Sequence, residues 1–324
     1  MANIKFFKQI SKSDVAIAGG KGASLGEMTQ AKISVPPGFV LLSFAFDRFL
    51  HESQLKEDIA AQLKKVKPED TNSVERASKT IRDMIHDTPM PKDLEKEILV
   101  AFKKLDAKFV AVRSSATAED SAVASWAGEL ETYLNTEKKN ILERVKLCWS
   151  SLYTPRAIFY RHEKNLIDHD VFVAVVIQKM VQSEISGIAF TVHPVTEDYD
   201  QMIIEAGLGL GEAIVSGQIT PDSYIIAKGE MSIIDINVSE QNRKLIRKVG
   251  KKKGIEDEEN KSNHWVKLGK EGNKQKFTGK QIIAAAKLFQ KIENHYGFPC
   301  DIEWAMEKGK LYITQSRPIT TLKK

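Results

Sequence analysis

Asp301-Ile-Glu303-Trp-Ala-Met306-Glu307-Lys-Gly309-Lys310-Leu311-Tyr-Ile313-Thr-Gln315-Ser-Arg317, near the end of the 324-residue sequence, reads as two strands folded back on a short turn. Side chains alternate along a strand, so Asp301 and Glu303 share one face, as do Ile313, Gln315 and Arg317. With an odd-numbered loop centred on Gly309, Glu303 falls opposite Gln315 and Asp301 opposite Arg317. That face carries two carboxylates, an amide oxygen and a guanidinium. Hard oxygens of this kind suit Mg²⁺, which keeps waters and is completed by phosphate oxygens. A guanidinium holds phosphate as a fork. The competing reading is a solvated strand with an ordinary cross-strand ion pair.

Working outward, three further segments have phosphate-handling chemistry. Gly19-Gly20-Lys21-Gly22 leads from an apolar run into a helical pattern, and a helix start offers unpaired N–H groups to an anion. No Gly-Lys here is followed by Ser or Thr, so this is not a Walker A loop. Phe109-Val-Ala-Val112 is a short strand ending in Arg113, and a small-residue loop follows from Ser114 to Gly128. A loop of that composition can fold backbone N–H groups over a triphosphate. The plainer alternatives are an idle surface lysine and a surface loop with a helix cap at Ser114 or Ser115. Val171–Met180 reads as a buried strand whose end, Gln178-Lys179-Met180, could pair with an adenine edge; Ser186–Val192 is its expected partner. Gly207-Leu-Gly209-Leu-Gly211 imitates a dinucleotide fingerprint without matching G-x-G-x-x-G.

Composition bounds the rest. No stretch approaches the roughly 18 apolar residues of a membrane helix. The N-terminus lacks a secretory h-region, and Cys148 and Cys300 form no disulfide framework, so the plain reading is cytoplasmic. The net charge of +5 comes from residues 243–276, with twelve Lys/Arg against five Asp/Glu, leaving 36 against 38 elsewhere. That mixed-sign stretch has one aromatic, Trp265, and reads as a solvated loop or surface hairpin rather than a nucleic-acid patch. The seven histidines include no pair at metal-ligand spacing, and no nucleophile–base arrangement supports hydrolase chemistry. Thr278-Gly-Lys-Gln281 predicts a capping box for a helix stopped by Gly297, and Ser43 a cap for the helix after Val40. The mixture is α+β, in two lobes of residues 1–190 and 191–324.

In order along the chain stand Gly-Gly-Lys21-Gly-Ala-Ser-Leu-Gly-Glu-Met, Val-Pro-Pro-Gly-Phe, Val-Arg113-Ser-Ser-Ala-Thr-Ala-Glu-Asp, Ala-Ser125-Trp-Ala-Gly, Gly-Leu-Gly-Glu, Pro221-Asp222, Asp301-Ile-Glu303-Trp and Gln315-Ser-Arg317-Pro318. Together, from about residue 10 to 322, they resemble the N-terminal nucleotide-binding domain of the phosphoenolpyruvate synthase (pyruvate, water dikinase) family. Pyruvate phosphate dikinases and rifampicin phosphotransferases share it. The resemblance implies an ATP-grasp fold holding ATP and Mg²⁺ between two lobes. It implies catalytic roles for Lys21, Arg113, Asp301 and Arg317, the three cations on phosphate, with Glu303 and Gln315 as metal ligands. It places Thr117, Ser125, Ala127, Gly128, Gln178, Met180 and Glu205 among the nucleotide-binding positions, the loop 117–128 as a phosphate cover and 178–180 as an adenine hinge. The implied activity is transfer of phosphate from MgATP to a carrier histidine, in cis or in trans, on the way to phosphoenolpyruvate, AMP and phosphate. No Thr-Ser-His-Ala-like segment is present, so the carrier and pyruvate domains are expected elsewhere, with neither nucleic acid nor membrane as partner. The alternatives are a rifampicin phosphotransferase-like enzyme and a stand-alone ATP-binding module.

Overall fold

The computed structural model describes residues 2–117, 131–164, 166, 171–248 and 262–322. They form two compact units, one of residues 1–30 and 37–180, the other of 31–36 and 181–324.

The first unit has strands β1 (Ile4–Phe6), β2 (Gly38–Leu41), β3 (Val110–Ala116), β4 (Thr132–Thr136) and β5 (Val173–Lys179), and helices α1 (Val15–Gln30), α2 (Ser43–Glu52), α3 (Leu55–Leu63), α4 (Thr71–Asp87), α5 (Lys92–Leu105), α6 (Ile141–Ser150) and α7 (Pro155–Glu163). The sheet order is β1-β2-β5-β3-β4, every pair antiparallel. Alternation gives its faces opposite fates. Phe39, Leu41, Val110, Val112, Val173, Val175 and Ile177 point into the core. There they meet Ile81 of α4, Ile98 of α5 and Trp149 of α6, whose indole stacks on Phe46 and Phe49 at 5.3 and 5.0 Å. Ala111, Arg113, Ser115, Val176 and Gln178 alternate onto the other face, where α1 packs; a Cβ on its Gly22 would lie 3.1 Å from Val40.

In the second unit, strands β6 (Ile185–Phe190), β7 (Gln201–Leu208), β8 (Asp222–Ala227) and β9 (Ser232–Asn237) precede a separate ribbon, β10 (Arg243–Arg247) with β11 (Asn263–Lys267), and β12 (Cys300–Glu307) and β13 (Lys310–Pro318) close the chain. Helices α8 (Glu212–Val215) and α9 (Gly279–Tyr296) complete it. The six-stranded antiparallel sheet runs β13-β12-β6-β7-β8-β9. Helix α9 opens with the capping box of Thr278 and Gln281 and stops at Gly297, φ +76°. Its buried Phe289 lies 6.3 Å from the Trp304 ring, with Phe277 at 4.8 Å on that same indole. A fully buried ion pair, Lys276 Nζ to Asp222 Oδ1 at 2.8 Å, ties the 243–276 excursion to β8. Asp222 also accepts bonds from Tyr224 Oη and the Ser239 and Lys276 amides.

Several expectations change here. Strand β6 does not pair with β5: β5 lies between β2 and β3, and β6 lies between β12 and β7. The chain leaves the first unit after Met180, and residues 181–190, expected in the first lobe, supply β6 to the second sheet. Ser43 does not cap α2; Leu42 occupies the cap position, and the Ser43 hydroxyl donates to the Ala16 carbonyl at 3.3 Å. The basic stretch does contain a hairpin-like ribbon, β10 paired with β11.

Candidate active site

In the first unit the site residues gather on the α1 face of the sheet. Gly19 breaks α1 with φ +67° and ψ 170°, a conformation open essentially to glycine alone. A Cβ there would come 2.4 Å from the Ser115 carbonyl oxygen. The helix restarts at once, and Ser115 caps it from β3: its hydroxyl donates to the Ala18 carbonyl at 3.0 Å and accepts the Gly22 amide at 3.3 Å. Lys21 therefore stands in the first turn after the break, where a helix end favours anions. Arg113 precedes Ser115 by two residues on the same face and is 8% exposed. Gln178 is buried, paired to Gly38 on one side and Ala111 on the other.

At the proposed hinge the Lys179 amide donates to the Pro37 carbonyl at 2.8 Å and the Met180 amide to Phe109 at 3.0 Å. What remains for an adenine edge there is carbonyl and side-chain chemistry, not N–H donors. Thr117 turns both its amide and its hydroxyl onto the Phe172 carbonyl, at 3.2 and 3.1 Å. Ser125, Ala127 and Gly128 lie outside the described residues.

The second unit brings its candidates onto one face by strand register. Gln315 is opposite Glu303, Glu303 opposite Ile188, and Ile188 opposite Glu205. In the next row Arg317 is opposite Asp301. The pairings match the expectation, but the route differs. The turn has two residues, Lys308 and Gly309, both with positive φ as a tight hairpin turn demands. A bulge then inserts Thr314: Trp304 pairs with Ile313, and Glu303 with Gln315. Without it Thr314 would face Glu303. The bulge also parts Ile313 from the Gln315 face, correcting the simple alternation; Ile313 shares the buried side of Trp304.

Electrostatically this face is acidic and crowded. Nε and Nη2 of Arg317 converge on Asp301 Oδ2 at 2.9 and 2.8 Å. Burial still pushes the Asp301 carboxyl above its ordinary range, against the pull of Arg317, with Glu303 adding a like charge. Glu205 is raised by burial and then by Asp301. No three His, Cys, Asp or Glu side chains among the described residues are grouped tightly enough to hold a metal by themselves. The donor set on this face is instead the Glu303 carboxylate with the Gln315 amide oxygen, a sparse oxygen set that fits Mg²⁺ completed by water and phosphate.

A family model, the pyruvate phosphate dikinase AMP/ATP-binding domain, matches residues 15–324. The chain belongs to that family. Among curated relatives, a probable phosphoenolpyruvate synthase of Methanocaldococcus jannaschii is 43% identical over all of this chain and 27% of its own length. Phosphoenolpyruvate synthase of Pyrococcus furiosus is 41% identical over 99% of this chain and 44% of its own. A probable phosphoenolpyruvate synthase of Archaeoglobus fulgidus is 44% identical over 99% and 42%. The chain thus spans between about a quarter and a half of these relatives. Among solved structures, D-alanine–D-alanine ligase of Helicobacter pylori reaches a TM-score of 0.32 at 10% identity over 76% of this chain and 54% of its own, too slight a likeness to bear on the fold.

Within this AMP/ATP-binding domain the Gly207–Gly211 loop is a structural anchor. Gly209 has φ +97°, and a Cβ on it would lie 2.5 Å from the Leu245 carbonyl oxygen. The Leu210 amide donates to that same oxygen at 2.9 Å, and the Ser183 and Ser186 hydroxyls donate to the Gly209 carbonyl. The glycines thus seat the β10–β11 ribbon on the end of β7. The sequence offered Ser114 or Ser115 as a helix cap, from the two hydroxyls that follow Arg113 on a strand; that Ser115 caps α1, nearly a hundred positions earlier, came only from the fold.

Proposed function

We propose that the chain is the MgATP-binding, phosphoryl-transferring part of a phosphoenolpyruvate synthase-type enzyme with an ATP-grasp fold. Phosphate passes to a carrier histidine held by another domain or chain, and from there to pyruvate. The observation that supports this best is the double row on one sheet face, Glu303 opposite Gln315 and Asp301 opposite Arg317. In this reading Lys21, Arg113 and Arg317 bind the phosphate oxygens and spread the charge that develops during in-line transfer. Glu303 and Gln315 would hold Mg²⁺, which supplies charge neutralisation at the phosphates. Asp301 orients the Arg317 fork through its two short contacts. Catalysis of this kind is positioning and electrostatics, for which rigid strands suit better than loops. The names carried by the archaeal relatives favour pyruvate over an antibiotic as the final acceptor.

Calorimetric titration with a non-hydrolysable ATP analogue tests it. Wild type should bind more tightly with Mg²⁺ than without. Glu303→Ala should lose that metal dependence, weakening the Mg²⁺-dependent affinity by roughly 10- to 100-fold. Binding indifferent to Mg²⁺ in a folded wild type would remove the metal assignment.

A further inference from the structure

The ladder between β12 and β6 is closed at its end by a side chain. Cys300 opens β12, and its carbonyl accepts the amide of Thr191, just beyond β6, at 3.0 Å, as an antiparallel ladder requires. The return bond comes from the Cys300 amide to the Thr191 hydroxyl at 2.8 Å, while the Thr191 carbonyl accepts Lys228 Nζ, also at 2.8 Å. The hydroxyl spends its one proton on Glu293 Oε1 at 2.9 Å, so a lone pair is what receives the Cys300 amide. Lys228 Nζ reaches both oxygens of Glu293, at 2.9 and 2.7 Å, which with the Thr191 carbonyl matches its three N–H groups to three acceptors. Glu293 is held in turn by the end of α9, where Gly297 donates its amide to the Glu293 carbonyl at 2.7 Å. Thr191 is fully buried and the Lys228 and Glu293 side chains nearly so. Apolar side chains could fill this place without taking two charges out of water. What the charged pair adds is a fixed direction for one hydroxyl.

We propose that Thr191, oriented by Glu293 and Lys228, is a positioning residue for Asp301 and, through it, for the Arg317 fork. Asp301 is the second residue of β12, beside a strand end, where a ladder opens most easily. It pairs with Phe190, the neighbour of Thr191, on one side and with Arg317 on the other. Both Arg317 contacts go to a single oxygen, Asp301 Oδ2, so any displacement of that carboxylate carries the fork with it. A group that must meet phosphate has to be held to about 0.5 Å by the bonds behind it. The hydroxyl rung supplies that hold, because it ties Cys300 to the ends of β6, β8 and α9 immediately before Asp301. The inference rests on the proposed phosphate role of Arg317 and assigns the groups that keep Arg317 in place.

A double-mutant cycle, read by calorimetric titration of the purified chain with the Mg²⁺-loaded ATP analogue, gives the test. Thr191→Val keeps the shape and removes the hydroxyl, and should weaken binding roughly tenfold. Thr191→Ser keeps the hydroxyl and should bind within about twofold of wild type. In an Arg317→Ala background the Thr191→Val change should weaken binding by less than about twofold, because the residue it acts through is gone. A general loss of stability would instead weaken both backgrounds alike. Equal losses in the two backgrounds, no loss in either, or a Thr191→Ser chain as weak as Thr191→Val would overturn this inference and leave the nucleotide reading standing. A folded wild type that does not bind the analogue overturns both. Should Thr191→Val fail to fold, Lys228→Met combined with Glu293→Leu takes its place in the cycle with the same expected losses, since it exchanges the ion pair for apolar groups of similar size.

Discussion

Glu205 is the residue whose state is most easily read from outside. Burial and the neighbouring Asp301 hold its carboxyl above the ordinary range, so the unfolded chain ionises it more readily than the folded one. Between the ordinary carboxylate range, about 4, and the raised value, the folded chain binds more protons than the unfolded one. Stability therefore falls as pH rises through that window, and the full cost is present at neutral pH. Glu205→Gln should accordingly melt higher than wild type at pH 7 to 8, with the gap closing as the pH is lowered toward about 4. Thermal scans across that range decide it, and a variant no more stable than wild type at neutral pH would refute this account of the acidic face. The nature of these residues was legible beforehand, since alternation alone put Asp301 beside Glu303. Their nearness to Glu205 was not, because it is set by β6, a strand more than a hundred positions before them that lies between β12 and β7.

Among the elements, the break in α1 and the β12–β13 hairpin show how glycine placement decides geometry. Gly19 combines an unusual backbone with close approach of Ser115, whereas Gly309 sits in an open turn with nothing near its would-be Cβ. Gly19→Ala should cost at least about 2 kcal/mol, from backbone strain plus displacement of β3. Gly309→Ala should cost only about 1 kcal/mol. Urea unfolding of the two variants against wild type measures the difference, and equal losses would mean that the Ser115 contact matters little. The hairpin also shows where strand counting stops. A two-residue turn and one bulged residue shift the register together by the same amount as a three-residue loop. Correct pairs therefore emerged from an incorrect turn, and only Ile313 revealed the difference.

For the whole molecule, the surplus of positive charge is confined to the stretch that holds the β10–β11 ribbon, and the residues proposed for phosphate and metal belong some to one unit and some to the other. Lys21 and Arg113 belong to the first, Glu303, Gln315 and Arg317 to the second. If these residues serve one nucleotide, ligand binding must stabilise the chain by mass action. At a free concentration of a hundred times Kd the gain is about 2.7 kcal/mol. A thermal scan of wild type with the Mg²⁺-loaded analogue should show that stabilisation. At the same analogue concentration, Arg113→Ala and Glu303→Ala should each show a much smaller one. An Arg113→Ala chain stabilised as fully as wild type would exclude Arg113 from the nucleotide site.

Local chemistry by itself determined the α+β class, the capped helix α9, the strands around Arg113 and the hairpin carrying Asp301, Glu303, Gln315 and Arg317. Each of these follows from periodicity, capping or turn residues within a few positions of one another. Tertiary structure decided which strands are neighbours, where the chain passes between units, and that Ser115 closes the turn before Lys21. Those outcomes depend on contacts between residues about a hundred positions apart. The buried surfaces of β5 and β6 are apolar enough to suit several partners, and the partners chosen, β2 and β3 for one and β12 and β7 for the other, are those whose combined packing buries both sheets.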